Sequence, residues 1–432
     1  MSTVDLTNNG TQKESQTDAK YAASKRNAIL IIHGVGQQSP LETLDEFSRN
    51  FMLSLNRFYQ LKGEQLYRAY HQQSTAPADS AQEELWLENY IALESSADLP
   101  DFDIFEYYWA HKMTGQASFD DIKLWFKETT ENALDFYNDA DKLASPELIK
   151  NRIARDSKKE KKRRLFDDSG KMLAAGYIRY FPGFLFALFG ILESSILKRF
   201  PIIDSIYQSI KKYLQTMVID YVGDVAVYTA IDRKSKHNNV RREIIKGASR
   251  EILGLSLNQK YAAVYIAGHS LGSVIAYDAL SKTNKYLPQS DKLKEFEIQC
   301  DKIKGLITFG SPLDKIAFFF RQKSKENAYF RKQLIENIYS FKKLNMHFEH
   351  DSANLKLEDQ TKSNLKNVKW LNYYHYNDPI CGYLEVYAVD SQLSIKKEHS
   401  WGLEAHSCYW NNQQMYDDIL KNLADTFIRK TN

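Results

Sequence analysis

The sequence has little of several features that mark specialised classes of protein. Its three cysteines, Cys300, Cys381 and Cys408, are an odd number and lie far apart, which excludes a disulfide-framework fold and suits a reducing compartment. With 18 glycines and 9 prolines in 432 residues, the chain is neither collagen-like nor of low complexity. Lysine and arginine (58) barely outnumber aspartate and glutamate (55), so the charge does not favour a nucleic-acid partner. The mean hydropathy of -0.51 excludes a polytopic membrane protein.

The first residues also lack the features of a targeting segment. Residues 1–26 are polar and contain no apolar run of the kind found in secretory signals. We therefore predict a disordered N-terminal tail and a cytoplasmic location. No internal repeat period is visible, which excludes solenoids and propellers.

Strand-like and helix-like segments alternate along the rest of the chain. Apolar runs at 28–33, 102–110, 261–270 and 303–312 are typical of buried parallel strands. Helical patterns directly follow the first and the third of these runs. This alternation predicts an α/β fold with a mostly parallel sheet flanked by helices.

The length of the chain predicts more than a minimal core. At about 150 residues per domain, it fits two or three domains, or one domain with large insertions. The predicted units are a core formed by residues 27–114 and 256–432, a large helical cap or lid insertion at 115–255, and a second helical insertion at 314–366. The last predicted strands of the core lie at 368–380 and 382–390.

The strongest chemical motif is Gly268-His269-Ser270-Leu271-Gly272, which joins an apolar strand to a helix. A sharp strand-to-helix turn presents its central serine as a nucleophile, and the flanking glycines let strand and helix approach closely. The alternative is a glycine-rich turn with an idle serine. Because strand, turn and helix occur in the required order, we assign Ser270 as the nucleophile.

A serine nucleophile needs a base, because a free hydroxyl is a poor nucleophile near neutral pH. In folds that use this turn, the acid and the histidine follow the serine along the chain. We favour His406, which lies after the last predicted strand and before a final helix that we expect to begin near Tyr409. His399 is the competing candidate.

The acid that orients the histidine is best placed at Asp378. This residue ends a predicted strand, and the following Pro379 restricts its backbone. Asp314, which follows the strand at 303–312, is the second candidate. Its alternative role is to cap the next helix.

An oxyanion hole needs two backbone N–H donors. One is expected from Leu271, the residue after the nucleophile. The other is expected from Val35 in the loop His33-Gly34-Val35-Gly36, where the glycines let the backbone turn its amides toward a substrate oxygen. A phosphate-binding loop is excluded, because no Gly-Lys-Ser/Thr follows.

Together these motifs resemble those of α/β-hydrolases of the lipase and esterase kind. The runs GHSLGSVIAYDAL and IIHGVGQQ are similar to intracellular phospholipase A1 proteins of the DDHD type and to uncharacterised bacterial hydrolases that carry H-G-[IV]-G-x-Q. FGSP and NDPI resemble lipase blocks as well. The resemblance covers the strands around the motifs. It implies an α/β-hydrolase fold, a triad of Ser270, Asp378 and His406, and neither a metal nor an organic cofactor.

A long apolar segment at 172–197 follows the basic run at 158–164. A single membrane crossing is excluded, because strands on both sides of the segment are expected to share one sheet. The basic run has six lysines or arginines and one glutamate, a cluster that attracts anionic headgroups. A buried cap helix and a lid that inserts into lipid both stay open. We expect peripheral contact with an anionic membrane through 158–199.

The sequence therefore predicts a serine hydrolase that cleaves carboxylic esters of lipid-like substrates through an acyl-enzyme. Three other functions stay open: an esterase or thioesterase acting on a soluble substrate, a secreted lipase effector, and a catalytically idle hydrolase fold that serves as a binding module. The head group, the acyl position and the oligomeric state are not predicted.

Overall fold

The computed structural model describes most of the predicted core. The described residues are 26–35, 39–73, 89–113, 223–229, 236–285, 298–314, 367–378, 380–384, 387–396 and 403–429, with short stretches within 115–125 and at 142–143, 316, 341–342, 347–348 and 364–365. The segment 158–199 and His399 lie outside the described residues, as do Gly36 and most of 314–366.

The described elements alternate between strands and helices. The strands are β1 (Arg26–Ile32), β2 (Arg68–Gln73), β3 (Asn89–Glu94), β4 (Phe102–Tyr107), β5 (Lys142–Leu143), β6 (Tyr261–His269), β7 (Ile303–Phe309), β8 (His347–Phe348), β9 (Lys369–Tyr374) and β10 (Ser391–Ser394). The helices are α1 (Glu42–Phe58), α2 (Lys236–Leu257), α3 (Leu271–Lys285), α4 (Leu403–Ser407) and α5 (Gln413–Leu423). Short 3-10 turns lie at Gly63–Gln65, Ala110–Lys112 and Ala424–Thr426.

Eight strands form one mixed sheet in the order β10-β9-β7-β6-β1-β4-β3-β2. The strands from β10 to β4 run parallel to their neighbours. At the other edge, β3 pairs antiparallel with β4, and β2 pairs antiparallel with β3. β5 and β8 form a separate two-stranded pair. This mostly parallel sheet with flanking helices confirms the predicted α/β arrangement.

The sheet is covered on both faces, which explains the unbroken apolar runs of its central strands. In β1, Leu30 and Ile32 join the core shared with α2 and α3. Ile29 and Ile31 point to the opposite face and join the core shared with α1 and α5. All four side chains are buried, and each contributes roughly 1.5–3 kcal/mol relative to an exposed side chain.

α2 belongs to this layered core, although its sequence falls mostly in the predicted insertion 115–255. Its buried Ile244 and Ile252 pack in the same core as the apolar side chains of β6 and α3. Arg241 of α2 also forms a 2.9 Å ion pair with Asp278 of α3. Tyr228, in the helical residues 223–229, donates a 2.7 Å hydrogen bond to the same carboxylate.

The first strand begins earlier than expected, because Arg26 is part of β1 rather than of the tail. Its guanidinium lies 2.7 Å from Asp103, 2.8 Å from Glu94 and 3.2 Å from Asp101. Lys260 reaches Asp103 at 2.6 Å from the residue before β6. These ion pairs connect β1, β3 and β4 at the amino ends of β1 and β4. The loops that carry the predicted site residues lie at the other end of these strands.

The predicted strand at 382–390 was wrong, and the edge strand is β10 instead. Within that run, Leu384 does not use a neighbouring strand for its backbone hydrogen bonds. The amide side chain of Gln392 accepts from the Leu384 N–H and donates to its carbonyl, both at 2.9 Å. This side chain replaces the ladder that a strand would require.

No helix in the described part of the chain is both long and apolar enough to cross a membrane. The apolar segment 172–197 is outside the residues to which this finding applies.

Candidate active site

Three of the predicted site residues follow the carboxyl ends of parallel strands in the sheet. Val35 follows β1, Ser270 follows β6 and Asp378 follows β9, while Gly310, which was not predicted, follows β7. Because parallel strands end at the same edge of the sheet, these loops converge there, where ligands of open α/β sheets usually bind.

Ser270 occupies a tight turn between β6 and α3. Its φ is 51°, in the left-handed region that residues with a Cβ rarely adopt. The turn is held on both sides, because the Ser270 N–H donates to the Phe309 carbonyl at 3.1 Å and the Ser273 N–H donates to the Ser270 carbonyl at 3.0 Å. The strained backbone is thus held by the end of the neighbouring strand β7 and by the helix after the serine.

The glycines around the serine are required by close packing. A Cβ on Gly268 would lie 2.6 Å from Ser273 Cα, and a Cβ on Gly272 would lie 2.2 Å from the Ile32 carbonyl oxygen. The loop after β1 is equally close, since a Cβ on Gly34 would lie 2.8 Å from Ser270 Cβ. Strand β6, helix α3 and the loop after β1 therefore meet without side chains between them.

The structure brings Ser270, His406 and Asp378 into one hydrogen-bonded chain. His406 Nε2 lies 2.7 Å from Ser270 Oγ, and His406 Nδ1 lies 2.8 Å from Asp378 Oδ2. Because a carboxylate only accepts, Nδ1 carries the proton that it shares with Asp378. Nε2 is then unprotonated, and its lone pair accepts a hydrogen bond from the Ser270 hydroxyl. All three residues are buried.

Asp378, rather than Asp314, is the acid that contacts His406. Its second oxygen, Oδ1, accepts hydrogen bonds from the N–H groups of Ile380 at 2.8 Å and Cys381 at 3.3 Å. The turn after β9 therefore holds one oxygen of the carboxylate while the other contacts His406. Asp314 is buried in the helical residues that follow β7.

His406 lies within α4, and the helix that follows it begins later than we expected. The prediction near Tyr409 was wrong, because α5 begins at Gln413. Asn412 caps this helix, since its side chain accepts a 3.0 Å hydrogen bond from the Met415 N–H. The intervening turn places Tyr409 beside the acid.

His33 is a buried, uncharged histidine that holds the loop after β1. Its Nε2 accepts the Trp109 backbone N–H at 3.1 Å, and its Nδ1–H donates to the Gly34 carbonyl at 2.8 Å. The ring stacks on the Trp109 indole with centroids 4.9 Å apart, and burial lowers the pKa of His33 to about 4. Since a trans peptide sets N–H opposite to C=O, the Val35 N–H is turned away from the His33 ring.

The two predicted oxyanion donors, Val35 and Leu271, each follow a residue at the serine turn: Leu271 follows Ser270 itself, and Val35 follows Gly34, which packs against Ser270 Cβ. Leu271 is the first residue of α3, where helix amides have no acceptor within the helix. Among the described residues, neither N–H donates to another backbone group. Both residues are buried, so an oxyanion between them would gain from a low dielectric.

His269 forms a hydrogen bond with the backbone of the candidate base, His406. Its Nε2–H donates to the His406 carbonyl at 2.9 Å, and the two rings lie 4.9 Å apart. Burial lowers the pKa of His269 to about 3, so the ring is uncharged near neutral pH. A Cβ on Gly310 would lie 3.2 Å from both His269 Nε2 and His406 Cε1, which explains a glycine at that turn.

Glu106 binds the backbone at the end of the loop that joins β1 to α1. Its Oε2 accepts the Leu41 N–H at 2.7 Å, where the left-handed Leu41 (φ 69°) precedes α1. Burial raises the pKa of Glu106 to about 7. This acid and His33 thus hold the two described ends of the loop that carries Gly34 and Val35.

The sequence did not predict the contributions of Trp109, Glu106 and Tyr409. All three act through hydrogen bonds between segments distant in the chain, and no local motif marks them. Within the described residues, no group of three or more His, Cys, Asp or Glu side chains could hold a metal ion. A scan against family models and searches of curated proteins and solved structures find no significant match to the chain.

Proposed function

We propose that the protein is a serine hydrolase that cleaves carboxylic esters with Ser270, His406 and Asp378. The observation that carries the proposal is the continuous chain from Ser270 Oγ through His406 to Asp378, with contacts of 2.7 Å and 2.8 Å. Nucleophile, base and orienting acid are arranged as covalent ester hydrolysis requires.

In the first half of the proposed reaction, Ser270 Oγ attacks the acyl carbonyl while His406 Nε2 takes the hydroxyl proton. The tetrahedral oxyanion accepts hydrogen bonds from the N–H groups of Leu271 and Val35. One such donor typically raises the rate about 10²–10³-fold. His406 then returns the proton to the leaving alcohol, and the acyl group stays on Ser270. Asp378 accepts from Nδ1–H throughout and stabilises the imidazolium.

In the second half, water attacks the acyl-enzyme and His406 takes one of its protons. Collapse of the second tetrahedral intermediate breaks the bond to Ser270 Oγ, which regains its proton from His406. The carboxylic acid leaves, and the protein returns to its starting state. The cycle consumes one ester and one water and needs no redox partner.

We also propose that the fold is of the α/β-hydrolase type. Three features support this: the strained serine turn at the end of a central parallel strand, the order serine, acid, histidine along the chain, and the glycine loop after β1 against the serine. In this fold the nucleophile turn joins a strand to a helix, with one oxyanion donor from a separate loop.

The proposed substrates are esters with lipid-like acyl groups. The apolar segment 172–197 beside the basic run 158–164 supports this choice, because that combination suits contact with an anionic surface. An esterase or thioesterase acting on soluble substrates shares the same chemistry and is the outcome to test against.

Labelling with a fluorophosphonate probe tests the catalytic proposal. We expect the wild-type protein to be labelled and Ser270→Ala not to be. Ser256→Ala is a matched control, because Ser256 is also buried but donates only to the Ile252 carbonyl in α2. Absence of Ser270-dependent labelling in folded protein would favour the idle binding module.

A substrate panel and liposome flotation test the substrate class. We expect cleavage of long-chain phospholipid or glyceride esters, and flotation with vesicles of phosphatidylcholine and phosphatidylserine that weakens as salt rises. Replacing the lysines and arginines of 158–164 by glutamine should reduce flotation while leaving turnover of a short soluble ester unchanged. Turnover of soluble esters alone, with no flotation, would contradict the lipid assignment.

A further inference from the structure

Tyr409 stands out because its hydroxyl lies at the centre of a buried polar cluster behind the candidate acid. Its oxygen is 2.8 Å from Asp378 Oδ2, 3.0 Å from the His375 backbone nitrogen and 2.9 Å from Cys381 Sγ. The side chain is fully buried. The hydroxyl therefore contacts the site through Asp378, at the end of the hydrogen-bonded chain that is farther from Ser270.

The partners determine where the phenol proton lies. The His375 N–H can only donate, so it donates to the phenol oxygen, while the Asp378 carboxylate can only accept. The proton of Tyr409 therefore points to Asp378 Oδ2, and the Cys381 thiol donates to the remaining lone pair. Burial and the neighbouring Asp378 raise the pKa of Tyr409 well above its ordinary value, so the phenol keeps this proton.

Tyr409 and His406 donate to the same carboxylate oxygen, Oδ2 of Asp378. The phenol therefore draws part of the negative charge that would otherwise stabilise the His406 imidazolium. It also fixes the position of Oδ2, as the N–H groups of Ile380 and Cys381 fix Oδ1. Without the phenol, Asp378 Oδ2 would present more negative charge to the His406 imidazole. The carboxylate would also lose one of the hydrogen bonds that fix its position.

We propose that Tyr409 is a positioning residue that orients Asp378 and tunes the basicity of His406. This inference rests on the proposed function, in which His406 is the base. Among the described residues, the other polar groups that contact the His406 ring are the Ser270 hydroxyl, the Asp378 carboxylate and the His269 ring. His269, from β6, remains neutral in the range where ester hydrolysis would be measured.

Tyr409→Phe keeps the ring and removes only the hydroxyl. We expect kcat to fall about tenfold and the acid limb of the pH profile of kcat/KM to move up by about half to one pH unit, since the imidazolium gains stability. Tyr416→Phe is the matched control, because Tyr416 is buried in the same region but donates to the Trp410 carbonyl. This control should leave the pH profile unchanged.

A second measurement separates this inference from the proposed function. In protein with labelled histidine, NMR follows the titration of the His406 ring without any turnover. An upward move of its midpoint in Tyr409→Phe, but not in Tyr416→Phe, supports the inference. Equal midpoints in Tyr409→Phe and the wild type overturn it, even if Ser270 reacts with the probe. A wild type that is never labelled overturns the hydrolase proposal, and the His406 titration still decides the role of Tyr409.

Discussion

The buried His33 predicts a measurable loss of stability in mild acid. In the folded protein its Nε2 accepts the Trp109 N–H, so a proton on that nitrogen would face another donor. Burial lowers its pKa to about 4, against about 6.5 in an unfolded chain. Because the unfolded chain binds the proton more readily, His33 costs stability as the pH falls from about 6.5 toward 4.

The size of this effect follows from the two pKa values. Between pH 7.5 and pH 5, His33 should cost about 2 kcal/mol of unfolding free energy. Glu106 acts in the opposite direction, because its pKa is raised to about 7 and the folded protein gains about 2 kcal/mol by protonating it over the same interval. The stability of the wild type alone therefore hides both contributions, and a variant is needed to separate them.

His33→Gln isolates the titration, since its amide can still donate to Gly34 and accept from Trp109 but does not ionise. Urea unfolding followed by tryptophan fluorescence at pH 7.5 and pH 5 gives the difference from the wild type at each pH. We expect the advantage of the wild type to shrink by about 2 kcal/mol at pH 5. Ser256→Ala removes a buried side chain that does not ionise, so its difference from the wild type should not depend on pH. A pH-independent difference for His33→Gln would refute the reasoning.

A pair of glycine substitutions tests the packing beside His406, and a pair of substitutions at Arg241 and Asp278 tests a buried ion pair. Gly310→Ala should lower kcat at least tenfold, because its φ is 60° and the new Cβ would press on His406. Gly63→Ala has nearly the same φ (58°) but open space around it, so it should cost only about 1–2 kcal/mol and leave turnover unchanged. Arg241→Met should destabilise the protein by about 3–5 kcal/mol in urea unfolding, because Asp278 stays buried without its cation. Adding Asp278→Asn should recover much of that loss, and no recovery would contradict the ion-pair account.

The sequence was most informative where local pattern and tertiary structure agree. The buried parallel strands β1, β6 and β7 are mostly apolar, and the glycine turns after β1 and β6 contain the predicted oxyanion donors and nucleophile. Ser270, Asp378 and His406 could be chosen because strand ends and chain order restrict where such residues lie. The α/β arrangement needed no long-range information beyond this alternation.

The elements that the sequence did not predict have weak local signals. β2 (RAYHQQ) is an edge strand whose residues are all exposed, so it has no apolar alternation to mark it. The run at 382–390 has a strand-like composition, but the Gln392 side chain satisfies the Leu384 backbone. Tyr409 was not recognised for a similar reason, since its partners Asp378 and His375 lie about 30 residues earlier.

The position of β1 has a consequence for how the protein is made. It is the first strand of the described chain, yet it lies in the middle of the sheet between β4 and β6, and all seven of its residues are buried. A ribosome releases β1 long before Tyr261, where β6 begins. Until then the edge of β1 that pairs with β6 has no partner within the sheet, and an unpaired apolar strand edge favours pairing with other chains.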